Sequence, residues 1–193
     1  MHIGVLALQG DFTAHAGILE LLGASTQPVR TTADLAGIDG LVLPGGESTA
    51  MLKLMERDRL DRAISGRVAA GLPVLATCAG VVLLATRVKP AQRSLGLLDV
   101  DVVRNAYGRQ VHSSVATIAV NGELGEPSAM EAVFIRAPRI EGVGEGVQVL
   151  GRLGEDPVLV SSGSIIAATF HPELSDDHRV HGVFYRFVDG GRS

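Results

Sequence analysis

Four short apolar runs, "HIGVLAL", "GLVLPGG", "PVLATC" and "IIAATFHP", start at residues 2, 40, 73 and 165 and are rich in Val, Ile, Leu and Ala. Continuous apolar runs of this length, bounded by turn residues, are the signature of strands buried on both faces. Strands of that kind are parallel, and parallel strands need long crossovers, usually helices. The pattern predicts an α/β fold, a three-layer sandwich with a central, mostly parallel sheet between helices.

The intervening segments carry the expected helical spacing. In "DFTAHAGILELLGA", Phe12, His15, Ile18, Leu19 and Leu22 recur on one face and Gly23 supplies a stop. In "AMLKLMERDRLDRAISGRVAAG", Met51, Leu52, Leu54, Met55, Leu60 and Ile64 predict one helix closed by Gly71 and Pro73. From about 95 to 165 the texture shortens to alternating runs, "SSVATIAV", "EAVFIRAP" and "VQVLGRL", which read as antiparallel additions within the same domain. A closing helix follows in "SDDHRVHGVFYRFVDG", with Ser175 as its expected cap and Val180, Val183, Phe184 and Phe187 on its apolar face. With no repeat, linker or low-complexity tract, residues 1–193 read as a single domain.

Composition excludes several classes of function. The 17 basic residues are scattered, formal charge is −4 and Trp is absent, so neither a phosphate-tracking surface nor a stacking platform for nucleic acid is evident. The longest apolar stretches are too short to span a bilayer, so no membrane partner is expected. "MHIGVLALQGDF" shows no basic leader or cleavage site, so no export signal is expected. A single cysteine allows neither an internal disulfide nor a closed zinc site, and no metal is expected; a reducing cytoplasm fits best.

In open parallel sheets, ligands bind beyond the strand C-terminal ends, and three such ends carry chemistry. Cys78 closes "PVLATC" and precedes "AGVVLLA", which continues on a helical face; small residues at Ala79 and Gly80 let the chain reverse sharply, as in a nucleophile elbow. A thiol of ordinary pKa about 8.5 is mostly protonated at neutral pH, and a helix N-terminus favours its thiolate. At "FHPE", Pro172 pushes His171 into an extended conformation that aims His171 and Glu173 to the same side, where a carboxylate can fix the tautomer of an imidazole. In "LVLPGGEST", the N–H of Gly46 can join that of Ala79 at one developing oxyanion, while Ser48 or Thr49 caps the next helix. The Lys-Ser/Thr ending of a phosphate loop is missing.

"PGGES", "TCAG" and "FHPE", in that order, resemble the class I glutamine amidotransferases, with their Cys-His-Glu triad. "LALQGD", "LPGGEST", "RNAYGRQ", "FIRAP" and "FHPELSDDHRVH" further resemble the glutaminase subunits of pyridoxal 5'-phosphate synthase, over nearly the whole chain. The resemblance implies Cys78 as nucleophile, His171 as general base and acid, and Glu173 as its orienter. It implies contacts to L-glutamine by Gly46, Glu47, Ser48, Arg104, Ile135 and Arg136, the arginine suited to the substrate carboxylate and Glu47 to its ammonium. It also implies no cofactor, and delivery of ammonia to a separate synthase subunit of barrel fold whose docking raises activity. Two places depart from the subfamily pattern, Ala14 before His15 and Ser114–Val115 after "RNAYGRQ"; neither belongs to the Cys-His-Glu set.

Overall fold

The computed structural model of the chain describes residues 1–106, 113–125 and 128–190. The four apolar runs form strands β1 (His2–Leu6), β3 (Gly40–Leu43), β4 (Val74–Thr77) and β12 (Ile165–Ala168). Between them lie helices α1 (Phe12–Leu21), α2 (Ser48–Arg57), α3 (Leu60–Ala69) and α4 (Ala79–Leu84), and α5 (Arg179–Gly190) closes the chain. The alternating middle of the sequence supplies β7 (Ser113–Val120), β8 (Ser128–Ile135), β10 (Gln148–Leu153) and β11 (Asp156–Ser162). With β2 (Ser25–Val29) at one edge, a nine-stranded sheet runs β2-β1-β3-β4-β12-β11-β10-β7-β8. Its pairings are parallel as far as β12 and antiparallel beyond. A separate sheet of β5 (Ala85–Lys89), β6 (Leu98–Val103) and β9 (Arg139–Val143) lies apart in the order β5-β6-β9.

Strand side chains alternate faces with a period of two, and the two cores follow that alternation. Leu41, Leu43, Val74 and Ala76 pack with Met51, Met55, Leu60, Ile64 and Leu83 under α2, α3 and α4. Val42, Leu75, Ile166 and Ala168 pack on the other face with Leu19, Val180, Val183 and Phe184 of α1 and α5. Three layers result. Each fully buried aliphatic or aromatic side chain contributes about 1.5–3 kcal/mol, and both faces of the central strands are used.

Several elements differ from the sequence expectation. The segment read as one helix is two, with Arg59 at φ 55° between them. Its apolar positions explain the break, since the step from Met55 to Leu60 is five residues and a continuous helix would turn one of them off the shared face; after the restart both are fully buried, while Leu54 stays exposed. Ser175 caps no helix: its Oγ accepts from the Asp177 N–H, and α5 starts four residues later with the Arg179 N–H donating to Asp177. The cap of α2 is Glu47, whose carboxylate accepts from the N–H groups of Thr49 and Ala50, so Ser48 and Thr49 are its first helical residues. Helix α4 lasts only to Leu84 before the chain extends into β5. Within "RNAYGRQ", residues 107–110 lie outside the described residues; Ser114 pairs with Phe134, and Val115 projects outward, 63% exposed.

Beyond β12 the sheet curls back on itself. Although β8 lies at the far edge, the Val133 carbonyl accepts the N–H of His171 at 2.8 Å, and Phe134 packs on Phe170 with ring centroids 5.7 Å apart. The antiparallel half thereby reaches the C-terminal ends of the parallel half.

Packing is tight under the turn into α4, where a Cβ on Gly80 would stand 2.1 Å from the Leu43 carbonyl oxygen. Gly80→Ala should therefore lower the unfolding free energy by about 2 kcal/mol or more. Gly66→Ala, on the exposed face of α3 with nothing within 4 Å of the new Cβ, should raise it by about 1 kcal/mol. Urea unfolding of the two variants checks both signs.

Candidate active site

Strand β4 delivers Cys78 directly into α4, and the reversal is carried by the cysteine backbone at φ 47°, ψ −105°. Non-glycine residues rarely adopt positive φ, and those that do cluster where surrounding structure fixes them. Here the Cys78 N–H donates to the Ala168 carbonyl of β12 at 2.8 Å, and Gly80 lets α4 lie against the end of β3. The thiol is 7% exposed and points toward the Ile135 carbonyl oxygen, 3.9 Å from Sγ.

His171 follows β12 and is tied by its N–H to β8. Its Nδ1 lies 2.7 Å from Glu173 Oε1, on the short 3-10 turn Pro172–Leu174. Gly45 makes room for the imidazole, since a Cβ there would stand 2.5 Å from His171 Cε1 and 3.4 Å from Cys78 Cβ. Burial alone would pull the His171 pKa down, but hydrogen bonding and charge from Cys78 and Glu173 outweigh it and push it up to about 10. Burial acts on Glu173 in the opposite sense, and the hydrogen bond from His171 holds its carboxyl below the usual carboxylate range. The arrangement is an imidazolium braced by a buried carboxylate and facing a thiol.

Every residue singled out from the sequence lines one cleft of about 390 Å³: Cys78, His171, Glu173, Gly46, Ala79, Glu47, Ser48, Arg104, Ile135 and Arg136. Their engagements differ from the expected ones in detail. The Glu47 carboxylate caps α2 and takes an Nη2 contact from Arg104 at 3.2 Å, so these two hold each other. The Ser48 hydroxyl is paired with the Gln92 side chain at 3.1–3.2 Å. Arg136 is exposed, at φ 44°, just past the end of β8.

The chain also matches known proteins along nearly its whole length. A family model described as the SNO glutamine amidotransferase family matches residues 5–189. The chain belongs to the SNO glutamine amidotransferase family. It is 48% identical over 189 residues to the pyridoxal 5'-phosphate synthase subunit PdxT of Thermotoga maritima, covering 97% of this chain and 100% of that protein. It is 50% identical over 197 residues to the protein of the same name from Koribacter versatilis, covering 100% and 98%. A crystal structure of a glutamine amidotransferase superposes with a TM-score of 0.90 at 44% identity, covering 97% of this chain and 98% of that one.

Two residues of this family member escape a reading of the sequence. Gln9, just past β1, accepts the Glu47 N–H on Oε1 at 2.7 Å and so fixes the glycine loop from the side. A polar residue directly after a buried strand, in "LALQGD", is the signal that marks it. His15 lies behind Glu173, whereas its spacing marks it only as part of an apolar helical face, with no sign of a polar partner.

Because the folded pKa of His171 is raised, its contribution to stability is fully present below about 6.5 and is lost as pH rises through about 10. The Glu173 contribution runs the other way, present above the ordinary carboxyl range and lost as pH falls through its lowered value. NMR titration of the His171 ring should give a midpoint near 10, and Glu173→Gln should lower it, with the contribution of Cys78 left in place. An unmoved midpoint in that variant would remove Glu173 from the account.

Proposed function

We propose that the chain hydrolyses L-glutamine to glutamate and ammonia through a thioester on Cys78 and supplies the ammonia for pyridoxal 5'-phosphate synthesis. The observation that carries this reading is the thiol on a strained elbow, sharing one cleft with a His171–Glu173 pair at 2.7 Å. Membership of an amidotransferase family and near-complete coverage of PdxT relatives support substrate and destination.

The steps balance with water alone. The Cys78 thiolate attacks the side-chain amide carbon, the C–S bond forms and the carbonyl electron pair moves to oxygen. The Gly46 and Ala79 N–H groups receive that oxyanion. His171, held through Nδ1 by Glu173, donates the proton on its other ring nitrogen to the departing amide nitrogen, and ammonia leaves. Neutral His171 then takes a proton from water, whose oxygen attacks the thioester; the C–S bond breaks, glutamate is released and the thiolate–imidazolium pair is restored. Gly46, Glu47, Ser48, Arg104, Ile135 and Arg136 form the walls that hold the glutamine. The Arg104 guanidinium suits the substrate carboxylate once it yields its contact with Glu47, which then faces the ammonium.

The ammonia acceptor in this reading is a separate synthase subunit of barrel fold, and the complex works in the cytoplasm. Among the described residues no helix is long and apolar enough to cross a membrane. Glutamate release should rise sharply when a pyridoxal 5'-phosphate synthase subunit is added, and Cys78→Ala should lower it about a thousandfold or more with an unchanged circular dichroism spectrum. Strong turnover indifferent to the synthase would assign the same chemistry to another pathway. No turnover under either condition would leave a binding subunit.

A further inference from the structure

Behind Glu173 lies a second polar contact that the triad does not use. His15 on α1 and His181 on α5 are both fully buried, with His15 Nδ1 at 2.9 Å from His181 Nε2. His15 Nε2 lies 3.3 Å from Glu173 Oε2 and 3.3 Å from the hydroxyl of Thr77, the residue before the nucleophile. The Glu173 contact is at ion-pair distance but off line for a full hydrogen bond, and among the described residues nothing else binds Oε2. Two helices from one core thus place imidazoles in line with a catalytic carboxylate.

Electrostatics favour one placement of the protons. Glu173 is held ionised by His171, so a lone pair on His15 Nε2 would face an anion in a low-dielectric interior, a costly arrangement. Nε2 therefore carries the hydrogen and Nδ1 accepts, which makes His181 the donor through its own Nε2. That leaves His181 Nδ1 as a bare acceptor, and it is the other buried atom without a hydrogen-bond partner among the described residues. Both rings are neutral, burial pulling each down to about 3. A neutral donor steadies the carboxylate without cancelling its charge, which stays available to the imidazolium of His171.

We propose that His15 is a positioning residue for the amidotransferase reaction: through its Nε2–H it holds the second oxygen of Glu173, and His181 locks the tautomer that makes this possible. The inference rests on the Cys78–His171–Glu173 reading. The groups facing His15 are Glu173 and His171 from the segment after β12, His181 from α5 and Thr77 from β4, so its influence on pH dependence runs through Glu173.

The test compares His15→Leu, which fills the space without a donor, with His15→Gln, whose amide N–H reaches the same side, in glutamate release by the chain together with a synthase subunit. His15→Leu should lower kcat about tenfold, as loss of an outer supporting partner commonly does, with KM nearly unchanged. It should also lower the alkaline limb of the pH–rate profile, because Glu173 loses the contact that keeps it in place beside the His171 imidazolium. His15→Gln should recover most of the rate and the limb. Nitrogen-15 NMR of the native protein should show His15 and His181 both protonated at Nε2. A limb unmoved in His15→Leu, equal behaviour of Leu and Gln, or a His15 ring protonated at Nδ1 would overturn the proposal, while an inactive Cys78→Ala in the same experiments leaves the Cys78–His171–Glu173 reading standing. Undiminished activity in Cys78→Ala would instead remove the triad and this proposal together.

Discussion

At φ 47° and ψ −105° the backbone of Cys78 lies outside the wells open to an ordinary L-residue, a conformation that costs about 1–3 kcal/mol. The surroundings hold it there. Its N–H is bound to Ala168 on the neighbouring parallel strand, β4 on the one side is paired with both β3 and β12, and α4 on the other rests against Leu43 through the missing side chain of Gly80. Relaxing the strain would require pulling apart the centre of the sheet. The elbow also governs the place of the base, because the thiol can stand beside the His171 ring only where Gly45 leaves no Cβ between them.

Electrostatics then build outward from the same place. A buried carboxylate is tolerated only when its charge is compensated, and Glu173 meets an imidazole on each side, His171 at 2.7 Å and His15 at 3.3 Å. The anion raises both rings, and burial decides the difference between them. His171 borders the cleft and the thiol and is pushed up to about 10, whereas His15, sealed between α1, α5 and β4, is pulled down to about 3. A single carboxylate therefore faces a charged partner on the reactive side and a neutral one on the structural side, the separation of roles that acid–base work requires.

Much of this is legible in the sequence because it comes from period. The four apolar runs and their crossovers give the parallel half of the sheet, and rules on strand ends place Cys78, His171 and the glycine loop at one edge. The parts that escape are either polar or tertiary. Strand β2, "STQPV", has no apolar run and contains Pro28, which an edge strand tolerates. The break at Arg59 shows only in a five-residue step between apolar positions. The cap at Glu47 is hidden by better-ranked capping residues beside it, although its carboxylate reaches two N–H groups. Ile135 and Arg136 enter by resemblance alone, since no periodicity tells that an edge strand of an antiparallel extension will curl back to the nucleophile.

That curl has a consequence for how the cleft works. The parallel half supplies the thiol, Gly46 and Ala79; the antiparallel half supplies the Ile135 carbonyl, 3.9 Å from Sγ, and Arg136 beyond it. The base belongs to neither half alone, because His171 continues β12 while its N–H is bound to Val133, two residues before Ile135 on β8. A displacement of β8 therefore carries the wall facing the thiol and the backbone of the base together. Their spacing is kept by one hydrogen bond at 2.8 Å and by the Phe134–Phe170 contact beneath it, whereas His171 is kept beside Cys78 by the pairing of the neighbouring strands β4 and β12, Thr77 opposite Ala168.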